Sequence, residues 1–174
     1  GQLTIYINNS TGTGNISFLR TVHQISNINR NAWISDYNKD GRPDLIADGD
    51  GYIVIVPNTS SLTDLTFGTS ILIPKTDYRE RVSLNDFDGD GKMDILCGFS
   101  SLLNTSTEGA FTYGPFTSFA TGTIKHWLIT DDFNADNKPG LAYLDSVLRK
   151  ITLFKNTSTA GSISFTQVPD ELFI

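Results

Sequence analysis

Four acids occupy the first, third, fifth and ninth positions of Asp86-Phe87-Asp88-Gly89-Asp90-Gly91-Lys92-Met93-Asp94. Carboxylates held this close repel one another, so a fold that keeps them together calls for a cation between them. The cation should be hard and oxygen-seeking. Calcium fits best, because it takes roughly six to eight oxygens, commonly including a backbone carbonyl, in a loop that turns sharply at a Gly. The expected donors are the side chains of Asp86, Asp88, Asp90 and Asp94 and the carbonyl of Lys92.

The pattern is written twice more. Asp36-Tyr37-Asn38-Lys39-Asp40-Gly41-Arg42-Pro43-Asp44 offers Asp36, Asn38, Asp40, Asp44 and the carbonyl of Arg42. Asp132-Phe133-Asn134-Ala135-Asp136-Asn137-Lys138-Pro139-Gly140 keeps Asp132, Asn134 and Asp136, but has Asn137 at the turn and Gly140 where the closing acid belongs. This third loop is expected to hold calcium weakly or not at all. The first acids at 36, 86 and 132 are about 50 and about 46 residues apart, a period that signals a repeat architecture. A helix-loop-helix calcium site would need a Glu at the twelfth loop position, and Ala47 and Cys97 stand there instead.

The segments around the loops read as strands. Short apolar runs such as Leu45-Ile46-Ala47 and Ile95-Leu96-Cys97 follow the first two loops and end quickly at turn residues, and no segment sustains a helical period. One repeat can be written as strand A before the loop (32–35), strand B after it (44–47), strand C (52–56) and strand D from Leu65-Thr66-Phe67 onward. The second repeat supplies 81–84, 94–98, a poorly written third strand near Leu102-Leu103, and 110–113. The third supplies 126–129, 141–144, 150–154 and 163–165. Leu3 to Ile7, and a strand starting at 15–18, match the last two strands of a repeat, so the chain opens half-way through one. The expected units are a half-blade 1–28 and blades 29–77, 78–123 and 124–174.

Four antiparallel strands per unit of this length suggest β-propeller blades, about three and a half of them, in an all-β chain. The three loops, together with the Asn-Thr-Ser…Gly-x-Ile-Ser-Phe tail at 156–165, resemble the FG-GAP/VCBS repeats of integrin-α-like propellers, particularly those of secreted bacterial proteins. The resemblance implies a calcium-stapled propeller whose loops join strand A to strand B and whose ligand face lies at one end of the central channel. Three and a half repeats are too few to close a ring, which leaves a segment of a longer protein or closure by other propeller segments, including copies of itself.

Composition narrows the partners. Net charge is −6 with scattered basic residues, which argues against nucleic acid. No apolar run approaches the roughly twenty residues of a membrane helix. The chain starts at Gly1 with neither initiator Met nor signal peptide, as expected of a processed or excised segment. Cys97 is the only cysteine and reads as a small buried hydrophobe. Weak calcium loops fill at extracellular rather than cytosolic calcium levels, so an extracellular or cell-surface location is expected.

Five to seven residues before each loop lie Arg30, then Arg79 and Arg81, then Lys125, His126 and Trp127, with Tyr78 alongside. Superposed repeats would gather them at one end, where aromatic and cationic groups suit a glycan or an acidic protein ligand. The alternative is solvated rim charge, with Trp127 in the core. Asn8, Asn9, Asn15, Asn58, Asn104 and Asn156 sit in Asn-x-Ser/Thr sequons, read here as turn formers rather than glycan carriers. No nucleophile elbow, phosphate loop or HExxH is present, and His23 reads as a surface residue rather than a base. A non-enzymatic recognition or adhesion module is expected. Part of a polysaccharide-active enzyme and a passive spacer are the alternatives.

Overall fold

The computed structural model describes residues 2–77, 80–120, 127–145, 149–169 and 172–173, and among these every regular element is a strand. A two-stranded hairpin, β1 (Gln2–Asn8) with β2 (Phe18–Gln24), precedes three blade-like antiparallel sheets. The first runs β3 (Ile28–Ser35), β4 (Asp44–Gly49), β5 (Tyr52–Val56), β6 (Ile71–Pro74). The second runs β7 (Val82–Asn85), β8 (Asp94–Cys97), β9 (Ser100–Leu102), β10 (Thr117–Ser118). The third runs β11 (Trp127–Asp131), β12 (Gly140–Asp145), β13 (Lys150–Asn156), β14 (Phe165–Gln167), with β15 (Leu172–Phe173) also pairing with β13. This is the all-β, four-strand organisation read from the repeats. The boundary expected at 28 falls on the first residue of β3.

Each interface between successive sheets holds its own core. Leu3 and Ile25 pack with Ala47, Val54 and Val56; Tyr37, Ile46 and Ile55 pack with Val82, Ile95 and Leu102; and Phe87, Leu96 and Phe99 pack with Leu141, Phe154 and Phe165. Central strands buried on both faces explain the continuous apolar runs at 45–47, 53–56 and 95–97. Cys97 is one of these core residues, its thiol pushed up by burial, and Ala47 lies in β4.

The outermost strands differ from the expectation. The ladders form at 71–74, 117–118 and 165–167, whereas 65–67 and 110–113 make only isolated bridges, Asn58 to Phe67, Thr107 to Ala110 and Asn104 to Tyr113. The second strand of the half-blade likewise starts at Phe18 rather than Asn15. The alternating apolar residues here serve as pegs rather than rungs: Phe111 stacks on Tyr37 of the preceding sheet at 6.3 Å. The third strand of the second blade sits at 100–102, hidden in sequence because Ser100 and Ser101 are buried and bonded to Ser118 and to the Thr117 carbonyl.

Candidate metal centre

The acid loops join β3 to β4, β7 to β8 and β11 to β12, all at one end of the sheets. In the second loop Asp86 binds the amides of Gly89 (2.8 Å) and Gly91 (2.9 Å), while Asp88 and Asp90 accept those of Asp90 (3.0 Å) and Lys92 (2.8 Å). Gly89 and Gly91 both take the left-handed backbone that this winding requires, φ 79° and 84°. The first loop repeats the plan, Asp36 accepting from Asp40 and Gly41, and Asp40 from Arg42.

The closing acid does more than offer an oxygen to a cation. Asp94, at the start of β8, accepts the amide of Phe87 (3.0 Å) and that of Asn104 (2.8 Å), and Asp44 does the same for Tyr37 (3.0 Å) and Asn58 (2.8 Å). It therefore latches the loop to the end of the third strand. Burial pushes the Asp94 carboxyl up to about 6 against the pull of these two amides, with Asp88 and Asp90 adding repulsion. Burial also raises Asp44.

Oxygens of Asp86, Asp88 and Asp94 all lie within 4.8 Å of one another. Two of these acids are buried. Three converging carboxylates on a left-handed loop match the donor chemistry of a hard divalent cation. Asp90 stands outside this group, its Oδ2 3.1 Å from Lys92 Nζ. In the first loop Asp40 pairs with Arg42 at 2.7 Å, and Asn38 donates its amide to Asp40 at 2.9 Å. Arg42 and Lys92 follow the turn glycines, their own amides turned back on Asp40 and Asp90.

The third loop keeps the winding without the latch. Asp132 accepts from Asp136 (3.1 Å) and Asn137 (2.8 Å), and Asp136 from Lys138. Ala135 and Asn137 adopt φ 58° and 61° without being glycine. Asp136 is held below the usual carboxylate range by the Asn134 side chain. At Gly140 an added Cβ would lie 3.0 Å from the Phe154 carbonyl oxygen, so an acid there would press on β13.

The loops also receive the next sheet. Asn104 Nδ2 donates to the Tyr37 carbonyl (3.0 Å) and to that of Met93 (3.1 Å), and Asn156 Nδ2 to the carbonyls of Phe87 (2.9 Å) and Pro139 (3.0 Å). Gly109 N–H meets the Asn38 carbonyl at 3.0 Å, and Gly161 N–H meets Asp88 Oδ2 at 2.6 Å. Asn104 and Asn156 are 1% and 3% exposed, with side-chain amides engaged, so neither is open to a glycan. Their Oδ1 atoms cap Ser106 and Ser158, the local turn role expected of this sequon. The second role, between sheets, had no sequence signal beyond recurrence.

At the opposite end, Arg30 lies in β3 with Nη1 buried and without a partner among the described residues, and Arg81 precedes β7 and bonds Gly98 N–H through its carbonyl. Tyr78, Arg79, Lys125 and His126 fall outside the described residues, and for Trp127 the backbone alone places it in β11, opposite Leu144. A buried cluster unread in the sequence lies there. Lys75 Nζ donates to Asp48 Oδ1 (2.7 Å) and to the Glu80 carbonyl (3.2 Å), and Glu80 Oε2 accepts from Thr76 Oγ1 (2.7 Å) and Cys97 Sγ (3.6 Å). His23 is half-buried, its ring packed edge-on against Phe67 at 4.9 Å.

Compared with known families, residues 36–97 match the FG-GAP-like repeat. The matched stretch spans the first two acid loops and strands β4 to β8. Neither the curated proteins nor the solved structures gave a match.

Proposed function

We propose that this chain is a calcium-fastened β-propeller segment of an extracellular or cell-surface protein, serving recognition or adhesion toward a glycan or protein ligand rather than catalysis. The observation that carries the reading is the convergence of Asp86, Asp88 and Asp94 within 4.8 Å, inside residues that match an FG-GAP-like repeat. Bound calcium would supply charge compensation between these carboxylates and tie the loop to the start of β8. The chain's own residues do the rest: Asp86 winds the loop, Asp94 latches it to Asn104, and Asn156 and Gly161 of the next sheet seat on it. Loops committed to holding neighbouring sheets together leave recognition to the opposite end, around Arg30 and Arg81. A glycan array and polysaccharide turnover assays on the calcium-loaded chain test this. Binding that is weakened by Arg30→Ala or Arg81→Ala, without turnover, is the expected result; turnover, or no binding to any glycan or protein probe, would contradict it.

A further inference from the structure

The two junctions among the three blade-like sheets share one design, and the chain carries an unused copy of each half of it. At each junction an aromatic residue at the second loop position is covered by an aromatic peg that follows the third strand of the next sheet, either ahead of its fourth strand (Phe111) or at that strand's first residue (Phe165). Tyr37 is covered by Phe111 and Phe87 by Phe165, and an Asn side chain and a Gly amide close on the same loop. These loop-entering groups all come from the last two strands of the incoming sheet and the turn between them.

The third loop presents the same socket uncovered. Phe133, the counterpart of Tyr37 and Phe87, is 52% exposed, whereas Phe87 is 1% exposed. A groove of about 290 Å³ lined by Phe133, Asn134, Leu153, Lys155 and Val168 lies beside it. The half-blade at the other end presents the plug. Asn8, Gly14, Ile16, Ser17 and Phe18 repeat Asn156, Gly161, Ile163, Ser164 and Phe165. Asn8 Oδ1 already caps Ser10 as Asn156 caps Ser158, and its Nδ2 has no acceptor among the described residues. Ile16 is 80% and Phe18 56% exposed. Tyr6 of β1, paired with Arg20 of β2, is exposed where its counterpart Phe154 is buried against the preceding sheet.

We infer that the half-blade of one copy docks on the third sheet of a second copy, Asn8, Gly14 and Ile16 seating on the Phe133–Asn134 loop. The contact is head-to-tail, so each copy offers a plug and a socket. Two such segments then close on each other, keeping within the range of blade numbers that propellers adopt.

The test is the solution mass of the calcium-saturated full chain over a range of concentrations. The expected result is a species of about twice 19.1 kDa that dissociates on dilution. Phe133→Asp and Ile16→Asp, both at exposed positions and checked for an unchanged melting temperature, each return it to a single chain. Mixing Ile16→Cys with Phe133→Cys chains should give a disulfide-linked pair that neither variant forms alone. A single chain at every concentration, or an associated species indifferent to both Asp substitutions, would overturn the inference.

Discussion

The second and third acid loops have nearly the same backbone winding and different fates. Asp86 and Asp132 each gather amides from the following turn, so the first acid suffices to wind the loop. What the third loop lacks is the anchor in the next strand. Asp94 ties Phe87 and Asn104 together, whereas Gly140 offers nothing to the amides of Phe133 and Asn156. The loop's first half is thus a local structure, and its ninth residue turns that structure into a fastener between strands and brings a third carboxylate to Asp86 and Asp88. The aromatic at position two follows the same division, buried where another sheet covers it and exposed where none does.

The largest expected contrast is at that aromatic. Phe87→Ala should cost about 3–5 kcal/mol, the usual penalty for emptying a packed aromatic site, and Phe133→Ala under about 1 kcal/mol, measured by urea unfolding. Equal costs would mean that the two sheets are not differently covered. The linking asparagines come next. Asn104→Ala strands the carbonyls of Tyr37 and Met93, at about 1–3 kcal/mol for each buried group left unpaired. Asn58 donates only to the Pro43 carbonyl in the described residues, and its Ala variant should lose about half as much.

Restoring the missing acid sharpens the comparison further. Gly140→Asp should add a calcium-binding event to the third loop. In chelator it should melt about 2–4 °C lower for each kcal/mol lost to the tight approach of its Cβ to Phe154. No gain in calcium binding would show that Asn137 and the open face, not Gly140, limit the site.

The smallest effect is on pH dependence. Asp94 has a folded value of about 6 against 3.8 ordinarily, so the metal-free native state binds the proton more readily than the unfolded chain. Its stabilising contribution is full below pH 3.8 and is lost as the pH rises through about 6; Asp44 acts in the same direction. Melting in chelator should fall across that window, and Asp94→Asn should flatten the trend. Calcium should reverse the slope, since it binds the ionised form.

Much of this was legible in the sequence because it is local. The acid spacing, the turn glycines and the missing acid at Gly140 act within nine residues, and the period of the loops set the number of sheets. The outer strands were misplaced because Leu65, Phe111 and Ile163 alternate as strand residues do, although Phe111 and its counterparts serve contacts with a neighbouring sheet. β9 was faint because its serines are buried by bonding rather than by being apolar. The Lys75–Asp48 pair joins residues far apart in the chain, and no short-range pattern could announce it.

The proposed function makes calcium fasteners of the first two loops and not of the third. Calorimetric titration of the metal-stripped chain with calcium, with melting followed in parallel, tests it most directly. The expected result is two binding events per chain, a rise in melting temperature on saturation, and loss of one event in Asp86→Ala. Three equivalent events, or melting indifferent to calcium, would contradict it.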